Sequence, residues 1–349
     1  MNRTKVDYII VGLGLAGIAF AEQLSKNGKT FIVYEDDSQT SSLVAGGVYN
    51  PVILKRFTPV WNAEAQLQLA LPFYKSLEEK LHVQIDRKFK TKKAFKSIED
   101  QNNWFAASDK PGLSQYMNAK ISKGTIPGIV GSFGFGEVLE TGRIDTHTLV
   151  TAYRKYLEEA DQIRYQRFQY DKISNTDDGV EYGDAIAYHI VFTEGYGIVH
   201  NPYFNYLPLN EAKGELITIH APELKIDFLL KSTLFVLPLG DDHYKVGATF
   251  NWKDKTGVPS EEGKIELIEK LKNVITVPYT IIDQTAGIRP TVKDRRPMIG
   301  IHPKNARIAV LNGLGTRGVM IAPTVAANLY AHIEHKQPLD LEIDIKRFE

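Results

Sequence analysis

The sequence predicts an α/β protein: a Rossmann-type lobe of parallel strands and helices, with an antiparallel β-sheet lobe inserted into it. Three observations carry this. A βαβ pattern containing a glycine string opens the chain at residues 7–35. A predominantly β stretch runs from Arg164 to about Arg289. A second buried strand, a second glycine loop and an apolar helix then close the chain. At 349 residues the chain exceeds what one hydrophobic core usually holds, so two lobes are expected.

Asp7–Val11 reads as a buried strand, and Leu15–Ser25 as a helix turning Leu15, Ile18, Ala19 and Leu24 inward. Asn27-Gly28 ends that helix, and Thr30–Tyr34 forms a second apolar strand stopping at Glu35. A glycine-rich loop follows at Ala45–Asn50, then a helix from about Asn62 to Leu81, expected to bend at Pro72. Arg87–Ser97 alternates like one strand, and its lysines suit an exposed sheet edge. Asp145 is placed to cap a helix whose Leu149, Val150, Tyr153, Tyr156 and Leu157 share one face. Short β runs follow at Gly214–His220, Asp227–Ser232, Leu234–Leu237 and His243–Phe250, with a helix at about Glu261–Leu271. A strand at Arg307–Leu311, the loop Gly313–Gly318 and a helix to about Ile333 complete the reading.

Composition narrows the function classes. Hydrophobic residues make up 43% and charged residues 24%, as in an ordinary globular protein. Lys+Arg and Asp+Glu are both 42, so net charge points to no nucleic-acid partner. The absence of Cys removes disulfides, thiolate metal sites and cysteinyl cofactor links, and permits a reducing cytoplasm, where we expect the protein. Arg3 and Lys5 before the apolar run Tyr8–Ala21 imitate a signal peptide, but Gly12, Gly14 and Gly17 interrupt the run and a second strand follows. It is also too short to span a bilayer, so no membrane association is expected. Nothing in the sequence opposes a homo-oligomer. His332 and His335, three apart on the last helix, lack a third ligand nearby, and no metal site is expected.

Gly12-Leu13-Gly14-Leu15-Ala16-Gly17 fits G-x-G-x-x-G between a strand and a helix. Gly12 permits a tight turn, Gly14 lets backbone approach a pyrophosphate, and Gly17 lets helix and strand pack closely. The helix N-terminus then offers unpaired N–H groups to phosphate. Glu35 ends the second strand at the distance where a carboxylate binds ribose hydroxyls, which disfavours a 2′-phosphate. The second loop, Asn312-Gly313-Leu314-Gly315-Thr316-Arg317-Gly318, makes another helix N-terminus of positive potential. Such a terminus would stabilise the negative charge of a reduced flavin, so FAD is expected rather than NAD.

The pieces resemble, in order along nearly the whole chain, the FAD-dependent D-amino-acid oxidase, glycine oxidase and sarcosine oxidase family, with glycine oxidase the most similar subgroup. The resemblance rests on the first βαβ unit, Ala45-Gly46-Gly47, a Lys213-Gly214-Glu215 turn and Val246-Gly247-Ala248-Thr249. It continues through Gly287-Ile288-Arg289-Pro290, Lys293-Asp294, Pro297-Met298-Ile299-Gly300 and the last glycine loop. It implies non-covalent FAD held between lobes and dehydrogenation of the C–N bond of a small amine or amino acid. An FAD-binding domain of 1–82, 137–202 and 287–349 and a substrate-binding domain of 83–136 and 203–286 are expected. Cofactor contacts are expected from the first string, Glu35, Ser42, Ala45, Gly46, Gly47, Thr193, Gly195, Gly313, Gly315, Thr316, Arg317 and Gly318.

By the same resemblance Arg289 forks around a substrate carboxylate, the alternative being an arginine paired with an acid such as Asp294. Phe235 stands where glycine oxidase-like sequences carry a tyrosine that helps hold the carboxylate, which argues against glycine itself as substrate. Phe250 lines the pocket, Tyr49 and Asn50 shape its entrance, and Arg317 lies one place off the subgroup's arginine. Lys245 matches the lysine that sarcosine oxidase-like enzymes use to activate oxygen. Two other functions stay open. An RNA-modifying flavoenzyme acting on an aminomethyl uridine group would place the basic run Arg87–Lys96 beside the flavin cleft. A catalytically silent flavin- or NAD-binding protein would lack a substrate cavity beside Arg289.

Overall fold

The computed structural model describes residues 3–131 and 133–349; of the expected domains, residues 1, 2 and 132 fall outside it. Eight strands form the first sheet. Its parallel centre runs Ile163–Tyr165, Phe31–Glu35, Thr4–Val11, Ala185–Phe192 and Asn305–Asn312. Gly179–Tyr182 and Ser174–Thr176 extend it antiparallel at one border, and Met298–His302 pairs antiparallel with Asn305–Asn312. Alternation decides the two faces of the first strand. Tyr8 and Ile10 enter the core beneath the helices, whereas Ile9 and Val11 enter the core on the other side.

Helices Leu15–Lys26, Ala63–Leu81, Thr146–Glu159 and Gly318–His335 share the first of these cores. Asp145 caps the third of them, its Oδ1 accepting from Thr148 N at 3.3 Å. Pro72 lies inside Ala63–Leu81, which continues as one helix on both sides of it.

The second sheet has seven strands, in the order Thr280–Arg289, Ala212–His220, His243–Gly247, Phe235–Gly240, Leu229–Lys231, Thr91–Ala94 and Phe135–Val138. All neighbours are antiparallel except Leu229–Lys231 with Thr91–Ala94. One face buries Ile217, Ile219, Val236 and Val246 against Leu267 and Leu271 of the helix Glu261–Leu271. The other face is therefore available to the first lobe.

Three expectations are corrected. Arg87–Ser97 is two strands in different sheets: Asp86–Lys88 pairs with Gly142–Ile144, and Thr91–Ala94 joins the seven-stranded sheet. The latter has a neighbour on each side, so it is no edge, and its lysines are spent locally. Lys90 meets Glu137 at 3.2 Å, Lys93 meets Asp100 at 3.0 Å, and Lys92 lies 4.3 Å from the Phe228 ring centre. Secondly, Lys213-Gly214-Glu215 is the interior of the strand Ala212–His220, because Lys213 and Glu215 are buried on one face of it and pair there with each other, Asp254 and Ser260. Lastly, a helix at Ile98–Ser108 was not anticipated; Ser97 caps it through Asp100 N at 3.1 Å, and its Trp104 is fully buried.

Candidate active site

A cavity of about 940 Å³ lies between the carboxyl ends of the parallel strands and the free face of the seven-stranded sheet. That is near the top of the range of roughly 300–1,000 Å³ usual for ligand sites, and carboxyl ends of parallel strands are where such folds bind ligands.

The first glycine loop lines one part of it. Gly12 has φ +95°, and a side chain there would meet Thr193 O at 2.9 Å. A side chain at Gly14 would stand 2.9 Å from Ser42 Oγ, which accepts from Leu15 N at 3.2 Å. Gly17 does not line the cavity; it lies against Gly12 O and lets the helix close on its own loop. Thr193 Oγ1 donates to the carbonyls of Val11 and Gly12 at 3.0 and 2.6 Å, tying the neighbouring strand end to this loop. The N-cap residue Gly14 of the helix Leu15–Lys26 offers no side-chain cap, so beyond Leu15 N, which Ser42 holds, the next N–H groups of the first turn are left for an anion.

Glu35 ends its strand at the cavity wall, 6% exposed. Its Oε2 accepts from Leu13 N, its Oε1 accepts from Asp37 N at 2.9 Å, and Arg154 lies 3.5 Å away. Burial nevertheless raises its pKa, against the pull of those donors. A carboxylate fixed beside a glycine cradle and an uncapped helix start is what a nucleotide ribose and pyrophosphate require, so these residues fit FAD. Glu194, which sequence reasoning missed, also lines the cavity. It accepts from Tyr170 Oη at 2.6 Å and Asn201 Nδ2 at 2.7 Å, and burial pushes it up to about 7. Its only sequence signal was its place just after the buried strand Ala185–Phe192.

The second glycine loop meets the first lobe through Asn312, whose Nδ2 donates to Gly195 O at 2.9 Å. Gly313 and Gly315 have φ of +75° and +59°. Gly315, Thr316, Arg317 and Gly318 line the cavity, as do Thr193 and Gly195. Gly313 packs beneath the loop instead: a side chain there would meet Val292 Cγ2 at 2.8 Å. Arg317 precedes the helix Gly318–His335, its pKa lowered by burial and then by Arg295 and Arg296. Ser42, Ala45, Gly46 and Gly47 form the wall between the loops and the sheet.

On the sheet side Arg289 ends the strand Thr280–Arg289 and lays its guanidinium over Gly214 of the adjacent strand. Nη1 donates to Thr249 O at 3.3 Å, and the Phe250 ring centre lies 4.4 Å from Cζ. Burial alone pushes this guanidinium down to about 10. The alternative partner, Asp294, instead holds Arg347 at 3.0 Å, so Arg289 reaches the cavity without it. Phe235 and Phe250 both line the cavity, and Phe235 Cζ would stand 3.5 Å from a side chain at Gly46. Gly214, Leu216 and Ala248 complete this wall; only strand register identifies them.

Two site expectations are corrected. Tyr49 is 3% exposed and outside the cavity, its hydroxyl donating to Asp86 at 2.8 Å. Successive side chains of a strand point oppositely, so Val48 and Asn50 face the cavity and Tyr49 cannot. Lys245 is also outside it. It lines a separate cavity of about 280 Å³ with Arg87, Arg143 and Asp145, behind the Ala45-Gly46 segment that both cavities share. Burial lowers its pKa, and Arg143 adds to the effect. The basic run is not at the cleft: among the described residues, none from Arg87 to Lys96 lines the larger cavity. No helix of the described residues is long and apolar enough to cross a membrane.

Comparison with known proteins agrees with this geometry. A family model described as FAD dependent oxidoreductase matches residues 7–332. A glycine oxidase from Bacillus subtilis is 24% identical over 354 aligned positions, covering 94% of this chain and 93% of the relative. The crystal structure of glycine oxidase from Bacillus cereus superposes with a TM-score of 0.76 at 17% identity, covering 95% of this chain and 96% of that one. Iminodiacetate oxidase from Chelativorans sp. gives a TM-score of 0.75 at 18% identity, covering 96% and 97%.

Proposed function

Because the chain belongs to the FAD dependent oxidoreductase family, we propose that it dehydrogenates the C–N bond of a small amine bearing a carboxylate. The observation that carries this reading is Arg289: a guanidinium without an acidic partner among the described residues, laid over Gly214 and facing the cavity that the two glycine loops line. Relatives and neighbours named for glycine and iminodiacetate act on amines of this kind, which supports it.

In this reading Arg289 takes the carboxylate in a bidentate fork, and Phe250 keeps water from one face of that pair. Phe235 and Leu216 floor the site and set which face of the amine carbon is presented. FAD, when bound, supplies the acceptor for the two electrons and the hydrogen leaving that carbon. The nitrogen gives its proton to solvent, and the imine released is hydrolysed by water. Little acid–base help is needed once the amine is neutral, so orientation is the main task. Glu35 would hold the ribose, the two uncapped helix starts the pyrophosphate and the flavin's anionic edge.

We assign reoxidation of the flavin to oxygen, with no part in it for Lys245, which lies in the separate cavity. The expected division into an FAD-binding domain (1–82, 137–202, 287–349) and a substrate-binding domain (83–136, 203–286) is retained as part of this reading. The RNA-modifying alternative is not favoured, since no residue described from Arg87 to Lys96 lines the larger cavity and Lys90, Lys92 and Lys93 have partners of their own.

The test is an anaerobic panel of amines and amino acids of both hands, followed by loss of flavin absorbance. Bleaching by carboxylate-bearing amines is expected. A flavin that stays oxidised with every amine, while dithionite reduces it, would refute the reading.

A further inference from the structure

The sheet side of the cavity carries a second basic group, to which the amine-oxidising reading above gives no role. Lys231 sits at the end of the strand Leu229–Lys231, paired with Phe235 on the next strand. Directly paired residues of neighbouring strands face the same side, so Lys231 shares the face on which Phe235 lines the cavity. Leu229, two residues back on that face, lines it too. Lys55 and Lys270 line the cavity with Lys231, as does Thr233 in the turn between Lys231 and Phe235.

Among the described residues, no carboxylate pairs with Lys231 or Lys55, whereas Lys270 has Glu266. The acids lining the cavity are Glu35, Asp36 and Glu194, which border the nucleotide loops, not the sheet. Burial, and after it Lys93, Lys96 and Lys270, all of its own sign, pull Lys231 down to about 8. Lys93 already has Asp100 and Lys270 has Glu266, so Lys231 is the member without an acid of its own among the described residues. A buried ammonium among like charges is unfavourable unless an anion arrives.

We propose that the substrate carries a second anionic group, and that Lys231, with Lys55 and Lys270 at the rim, binds it while Arg289 binds the first. The substrate class is an amino acid with a distal carboxylate or phosphoryl group; this rests on the amine-oxidising reading above. Register sets the span. Leu216, Gly247, Phe235 and Lys231 lie in one row across four strands, and Gly214 under the Arg289 guanidinium is two residues along from Leu216. Three strand spacings and two residues separate Gly214 from Lys231 by about 16 Å between Cα positions. A lysine stem reaching toward the arginine would shorten this to roughly 10 Å between the charged ends, which suits a short carbon chain with an anion at each end.

The test uses the FAD-loaded protein and two readouts. In the first, glutarate, adipate and pimelate are titrated against the flavin absorbance and compared with glutaramate, which replaces one carboxylate by an uncharged amide. In the second, D- and L-glutamate are compared with D- and L-glutamine in anaerobic flavin reduction. At least tenfold preference for the dianion is expected in both. Lys231→Gln should collapse the preference ratio to near one, and Lys231→Arg should keep it within about threefold, with FAD content measured for each variant. Equal affinity for dianion and amide, or a preference that survives Lys231→Gln, overturns the proposal. Binding of dianions without reduction by any amine would instead leave it standing and remove the amine-oxidising reading.

Discussion

The guanidinium of Arg289 lies flat across Gly214 of the neighbouring strand, where a methyl group would fall inside the space its Cζ and both terminal nitrogens occupy. The two residues are 75 positions apart in sequence, but their strands pair so that Ala212 meets Arg289 and Gly214 meets Gly287. Glycine at 214 thus leaves room for the arginine to cross the sheet surface into the cavity.

Two substitutions test this relationship together. Arg289→Lys should lose the fork and keep the charge, and Arg289→Ala should lose both, at a cost of about 2–5 kcal/mol in binding carboxylate-bearing amines. Gly214→Ala should weaken the same amines by pushing the guanidinium off the strand, with residue 289 itself unchanged. Amines without a carboxylate should be much less affected, and FAD content should stay near wild type in all three. Equal losses for both kinds of amine, read from anaerobic flavin reduction, would make Arg289 structural.

Glu35→Ala should weaken FAD binding by about 1–3 kcal/mol, because a charged acceptor is lost beside the nucleotide. The structure adds a control. Glu35 also accepts from Leu13 N and Asp37 N, so Glu35→Gln keeps an acceptor for the loop but removes the charge. FAD affinity by equilibrium dialysis should fall in the order wild type, Gln, Ala. Unchanged retention in the Ala variant would remove Glu35 from the ribose site.

The flavin should leave the protein intact on acid or heat denaturation. Cysteine is absent, and none of the nine histidines lies in either glycine loop. Yellow colour remaining with the precipitated chain would show a covalent link and contradict the expectation.

Glu194 should make the apoprotein less stable as pH rises. Its folded-state pKa of about 7 lies above the ordinary 4.5, so folding favours the protonated form. The contribution is fully present below pH 4.5 and is lost as pH rises through about 7, a difference of about 3 kcal/mol. Glu194→Gln should remove that pH dependence, and the gain in melting temperature over wild type should appear at pH 8, not at pH 4.5. A wild-type melting curve with no decline between these values attributable to Glu194 would refute the assignment.

Local chemistry was legible in the sequence wherever a few adjacent residues suffice to state it. Gly12, Gly14 and Gly17 encode a turn and a close helix approach, Glu35 ends an apolar run, Asp145 caps a helix, and Gly313 and Gly315 permit positive φ. These are backbone requirements, satisfied within about one turn of chain, so they survive without knowledge of the fold. Which side chains meet across the sheet was decided only by tertiary pairing. Thr91–Ala94 became an inner strand because Leu229–Lys231 and Phe135–Val138 take both its sides. Tyr49 turned away and Lys245 fell behind a wall because strand alternation and the Ala45-Gly46 path place them there. Gly214 under Arg289, and Lys231 on the cavity face, depend on register between strands far apart in sequence, and a shift of one residue would turn each to the opposite side.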